Sequence, residues 1–184
     1  MEPGRTRPLV GEPLAMDLLN TRWVSGGVHH DLLDSLDGLR QWFEEIGRAG
    51  RFTADEAARG NLLLARDALA RLVDGPDDPG AAADLNRVLG HGAVHRFLDG
   101  GREGATTRFE DPAWAPAWSA AADYLDLLST APDRIRRCAN HACVLHFYDT
   151  SRNGTRRWCS MAGCGNRAKA ARHHARERDG GRTA

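Results

Sequence analysis

Residues 138–164 read CANHACVLHFYDTSRNGTRRWCSMAGC, and they hold every cysteine of the chain: Cys138, Cys143, Cys159 and Cys164. The spacing is C-x4-C-x15-C-x4-C. Two short pairs bracketing a longer loop let two knuckles close on one tetrahedral zinc ion. Four thiolates on zinc form a closed, doubly negative site with no open position for a substrate water, so the metal is structural. A segment this short cannot build a sufficient apolar core, and zinc binding worth about 10–16 kcal/mol decides whether it folds. His141, inside the first knuckle, is the alternative ligand, but all four soft thiolates are at hand.

Working outward, Asn153-Gly154 is a type I′ turn dipeptide. It predicts a hairpin that pairs a strand over 143–149 with one over 155–158. Val144, His146 and Tyr148 then share one face, on which His146 stands where an apolar residue is expected. A helix follows from Asn166, with Ala168, Ala171 and Ala175 on its packing side. Lys169, Arg172, His173 and Arg176 fall on the adjacent side, and Arg152, Arg156 and Arg157 add cations near the hairpin tip. Charge of one sign on a metal-rigidified unit predicts phosphate contact through Arg152, Arg156, Arg157, Arg167, Lys169, Arg172 and Arg176.

The formal net charge of the 184 residues is zero, yet it is sharply divided. Residues 1–133 carry 13 basic and 22 acidic residues, whereas 134–184 carry 12 basic and 3 acidic. An acidic body with a basic tail points to a nucleic-acid partner, or to a body that folds back on its own tail. The opening MEPGRTRPLVGEPLAMDLLNT is broken by Pro8, Glu12 and Pro13, and has no leader-like apolar core. No window reaches the ~18 apolar residues of a membrane span. A cytoplasmic protein is expected, in which the thiols stay reduced and hold metal instead of forming disulfides. Of the 25 basic residues only Lys169 is lysine, a bias typical of a GC-rich bacterial genome.

The body reads as helical. Leu36, Leu39, Phe43 and Ile46 recur at helical spacing, and Thr53-x-x-Glu56 forms a capping box before a long helix ending at Gly75-Pro76. A short helix over 81–89, a small hairpin over 93–98 and 105–109, and a helix after Asp111-Pro112 complete it. The Thr130-Ala131-Pro132 break marks the domain boundary. No catalytic constellation stands out: His29-His30 reads as a solvated loop pair, and His91 and His95 lack an evident nucleophile or ligand partner. Asp17 and Asn20 interrupt an apolar run; they either brace local backbone or line a ligand pocket.

Trp158-Cys159-Ser160-Met161 followed by Cys164-Gly165-Asn166-Arg167, with Asp149-Thr150-Ser151-Arg152-Asn153 and Arg156-Arg157 upstream, closely resembles the CGNR zinc finger. The stretch Leu14-Ala15-Met16-Asp17-Leu18-Leu19-Asn20-Thr21 looks like the opening of the ABATE domain that precedes this finger. The resemblance implies a bacterial stress-induced transcription regulator with Cys138, Cys143, Cys159 and Cys164 as zinc ligands. In it, Gly165 would permit a tight turn, Asn166 would cap the helix, and Arg167 would brace the site or reach a phosphate.

The expected fold is mainly α with minor β. An ABATE-like multihelical domain over 1–132, for sensing or oligomerisation, precedes a treble-clef-like four-cysteine finger over 134–178 with a β-hairpin and a helix, then a disordered tail over 179–184. The expected function is DNA binding in transcription regulation, with one structural zinc, a possible small-molecule effector for the body and a possible homodimer. The alternatives are a zinc-stabilised module that binds an acidic protein partner, and RNA binding.

Overall fold

The computed structural model describes residues 6–171. Helix α1 (Leu14–Leu19) leads into a two-stranded ribbon, β1 (Arg22–Ser25) and β2 (Val28–Asp31), turned by Gly26 and Gly27 at φ 58° and 80°. Helices α2 (Leu36–Glu45), α3 (Glu56–Asp74) and α4 (Pro79–Gly90) follow. Next come the hairpin β3 (Gly92–Asp99) and β4 (Arg102–Phe109), and helix α5 (Ala115–Thr130). The described residues end with β5 (Ile135–Arg137), β6 (His146–Tyr148), a π-helical turn (Met161–Gly165) and α6 over 166–171.

The helix starts follow side-chain chemistry. Ser35, Asp55 and Asp78 each accept a hydrogen bond from a backbone N–H of the first turn, which satisfies an orphan donor. The cap of α3 is thus Asp55 and not the Thr53 of the expected capping box. Asp55 is the last extended residue, and its carboxylate reaches Ala58 N at 2.8 Å. The small hairpin is longer than expected, because Gly100 and Gly101, at φ 54° and 79°, make a two-residue turn.

Leu62, Ala65, Leu69 and Leu72 of α3 share one apolar core with Leu85 and Val88 of α4 and Ala117, Ala120, Ala121 and Tyr124 of α5. Trp23, Trp42 and Leu39 fill its other side. Arg66 sits inside this core at 1% exposure, held bidentate by Asp31 at 2.6 and 2.7 Å and by Thr21 Oγ1 at 2.7 Å. Burial works against the Asp31 charge, but the Arg66 guanidinium outweighs it and keeps the carboxyl below its usual range. No described helix is long and apolar enough to cross a membrane.

The cysteine segment departs from the expected hairpin. Strand β6 pairs antiparallel with β5, which lies before the first knuckle, and residues 155–158 form no strand. Asp149 is the reason. Its buried carboxylate accepts from Ser151 N and Arg156 N, both at 2.9 Å, and draws the 149–156 loop around itself. Arg134 Nη1 donates to the carbonyls of Asp149 and Ser151 from the other side. Of the Asn153-Gly154 pair only Gly154 has positive φ, at 61°, so the two-residue turn with both residues left-handed does not form.

The core runs on into this segment. Leu145, Phe147 and the four cysteines belong to the same apolar cluster as the helices. Asn20 Nδ2 donates to the His146 carbonyl and its Oδ1 accepts from His146 N, both at 2.9 Å. Glu12 accepts from Tyr148 N at 2.9 Å and from Arg156 Nη2 at 3.1 Å, and Arg137 pairs with Asp74.

Candidate metal centre

The two knuckles are placed by different means. Cys138 N donates to the Leu145 carbonyl, which ties the first knuckle to the start of β6, and Cys143 N donates to Asn140 O. The second knuckle is closed by Ser160, whose hydroxyl accepts from Gly163 N at 3.1 Å. Ser160 therefore caps the helical turn, not Asn166, which is already helical and donates from Nδ2 to the Ala162 carbonyl. Cys164 lies in the π-helical turn just before α6. At Gly165 an added Cβ would stand 2.8 Å from Met161 Sδ and 3.4 Å from Trp158 Cδ1. Gly165 is not left-handed, and its closest contact is with the flexible end of the exposed Met161 side chain, which can move aside.

All four Sγ atoms lie within 4.8 Å of one another, and all four cysteines are buried. Two edges of the cluster are Cys143–Cys159 at 3.8 Å and Cys159–Cys164 at 3.6 Å. A tetrahedron with Zn–S bonds of about 2.3 Å has edges of about 3.8 Å, so this donor set fits one zinc ion. His141 is exposed and stands outside the cluster.

Donors surround the sulfurs as a doubly negative site requires. Cys159 N reaches Cys138 Sγ at 3.4 Å, Asn140 Nδ2 reaches Cys164 Sγ at 3.3 Å, and Arg167 Nη2 reaches the same sulfur at 3.2 Å. Without metal the thiols compete for charge. The hydrogen bond from Cys159 lowers the Cys143 thiol to about 5, and the same contact with burial pushes Cys159 up. Zinc removes that competition by displacing the protons.

Residues 134–177 match the CGNR zinc finger family, and residues 12–131 match ABATE, the family described as "Putative stress-induced transcription regulator". The chain belongs to the ABATE family. It carries a zinc-binding CGNR finger in which the sulfurs of Cys138, Cys143, Cys159 and Cys164 are clustered as one structural zinc ion requires. Among curated proteins no match was found for this ABATE chain.

The basic residues expected to touch nucleic acid divide in the ABATE protein. Arg156 is bound up internally: it donates to Glu12 and the carbonyls of Trp158 and Cys159, and lies 4.2 Å over the Phe147 ring. Arg167, though exposed, is committed to Cys164 Sγ. Arg152, Arg157 and Lys169 are exposed, and among the described residues they have no carboxylate partner. Arg172 and Arg176, like the 179–184 tail, lie outside the described residues.

Asp17 and Asn20 do not open onto a ligand site. Asp17 is 1% exposed, and its carboxylate takes Arg7, Trp42 Nε1 and Gly11 N. Asn20 is fully buried on His146. Both brace backbone and core. His91 stacks on Trp114 at 3.7 Å and pairs with Glu110.

The sequence alone gave no role to Glu12, Asp74, Asn140 and Asp149, which orient the finger or its ligands. Glu12 had a signal: a carboxylate between Gly11 and Pro13, directly before the apolar run that starts at Leu14.

Proposed function

We propose that this ABATE protein is a cytoplasmic, DNA-binding transcription regulator whose CGNR finger contacts the phosphate backbone of duplex DNA. One observation carries the reading: among the described residues Arg152, Arg157 and Lys169 remain exposed without carboxylate partners while the body takes Arg156 and Arg137. Arg157 stands 5.3 Å over the Trp158 ring, which holds it against a groove of about 630 Å³ between residues 139–142 and the start of α6. Such cations bind duplex by releasing condensed counterions. The chain is a regulator and not an enzyme in this reading, since the closed thiolate centre offers no position for a substrate water. Arg172 and Arg176 add charge from the sequence just beyond these residues.

The zinc-loaded full chain is titrated with duplex at several salt concentrations. Binding should weaken steeply with salt, and an Arg157→Ala, Lys169→Ala variant should lower the log–log salt slope by roughly 2. Absence of salt-dependent duplex binding overturns the reading. The same titration with single-stranded RNA and with an acidic protein tests the two rivals. The Arg156–Glu12 and Arg137–Asp74 pairs favour the acidic-partner rival, because in them finger arginines donate to carboxylates.

A further inference from the structure

The β3–β4 hairpin is the one large feature that the metal centre and the helical core leave unused. It is rooted at its base, where Gly92 lies against Trp118 and Phe109, and Phe109 packs edge-on to Trp118. From Ala93 to Asp99 every residue of β3 is exposed, including Val94, Phe97 and, at 76%, Leu98. An isolated two-stranded ribbon is marginal in water, and exposed apolar edges invite pairing.

The two edges are not equivalent. Strand β4 faces the body across a cavity of about 430 Å³ lined by Arg51, Phe52, Ala105 and Thr107. Strand β3 is the open edge, and among the described residues no third strand joins the sheet. The two-residue turn makes Asp99 and Arg102 the hydrogen-bonded pair that closes the hairpin. Along β3, Phe97 and His95 therefore bond inward, and Leu98, Arg96 and Val94 turn their N–H and C=O outward. The Phe97 ring lies across Gly104, where an added Cβ would stand 2.5 Å from it, so the ring is already held on one face.

We propose that the β3 edge pairs antiparallel with β3 of a second copy of this chain, joining two hairpins into a four-stranded sheet about a two-fold axis. A register centred on Phe97 makes each Arg96 and the other copy's Leu98 a hydrogen-bonded pair, with the two Phe97 positions opposite each other at the axis. It places each Asp99 opposite the other copy's His95 on the same face, and each Leu98 over the other copy's Arg96 stem. The strand is complementary to itself in the phase of its backbone hydrogen bonds and in apolar surface, and each Asp99 carboxylate meets a His95 ring that can donate to it. A DNA-binding arm does not fit, because Arg96 is neutralised by Glu103 at 2.8 Å and the hairpin carries acids and bases in near balance.

The test is the solution mass of the zinc-loaded full chain by sedimentation over a wide concentration range, independent of any DNA. The chain should approach twice 20.1 kDa at high concentration. Arg96→Pro removes an outward N–H and leaves the β3–β4 ladder intact, so it should be monomeric with unchanged zinc content and helical signal. Ala105→Pro, the equivalent change on β4, should stay dimeric, and Leu98→Lys should raise the dimer dissociation constant at least tenfold if the proline variant misfolds. A wild-type chain that is monomeric throughout, or a dimer unaffected by both Arg96→Pro and Leu98→Lys, overturns the proposal.

Discussion

Asn20 and His146, 126 positions apart, meet in a two-point hydrogen bond in which one side-chain amide satisfies both backbone groups of a single residue. Asn20 follows the first helix of the ABATE domain, and His146 opens the strand that leads out of the first zinc knuckle. Because the bond is fully buried, the finger is fixed to the body in one register, and a strain at either side is felt at the other.

Asn20→Ala strips the His146 backbone of both partners in a dry site. We expect a loss of about 3 kcal/mol in stability, read from urea unfolding of the zinc-loaded protein. Asn20→Asp should do worse, since a carboxylate oxygen then faces the His146 carbonyl. An alanine variant of wild-type stability would show that the joint carries no energy.

The His146 ring makes acidity destabilising. It is 7% exposed, and neither ring nitrogen has a hydrogen-bond partner among the described residues. Burial lowers its pKa from 6.5 to about 4; Asp74 pulls it up and Arg137 pushes it further down. The unfolded chain thus binds the proton first. Stability is full above the unfolded pKa, falls as pH drops through the interval between the two values, and is lower by about 3 kcal/mol beneath it. Acid also reprotonates the zinc thiolates. The comparison is therefore between wild type and His146→Leu from pH 7 to pH 5, where the variant should lose less stability. Parallel curves would exclude the imidazole from the pH response.

Zinc should decide the structure of residues 138–165, while the helical body, which shares its core with them, loses stability but keeps its fold. A chelator, or Cys164→Ser, removes the centre around which residues 138–165 turn. Limited proteolysis should then cut within this segment, while the helical circular dichroism of α3–α5 is largely kept. Collapse of the whole helical signal would mean that the two parts fold as one.

Asp31 is the only carboxylate paired with the buried Arg66 among the described residues. Asp31→Ala leaves that guanidinium charged in the core and should cost about 3–5 kcal/mol. Replacing both, with Arg66→Met and Asp31→Ala together, should recover much of the loss. A double variant no better than the single one would place the cost in packing instead of in the unpaired charge.

The sequence by itself determined what rests on short-range periodicity and spacing. Apolar residues at helical intervals placed α2 to α5 close to where they form, since a helix is stabilised by residues three and four apart. The cysteine spacing picked out the four residues whose sulfurs the fold brings together, because chelation needs only four soft donors within reach of each other. What local reading missed depends on partners far along the chain. The Asn153-Gly154 dipeptide favours a hairpin locally, but the buried Asp149 carboxylate and the β5 strand offer the backbone a better set of bonds. Asp17 and Asn20 stand out as polar residues in an apolar run; only the fold shows that Trp42, Arg7 and His146 consume them. Arg156 and Arg157 are neighbours of the same type, yet Glu12 captures one while the other stays exposed. A side chain's chemistry is written in its residue, but its availability is set by what the tertiary structure brings against it.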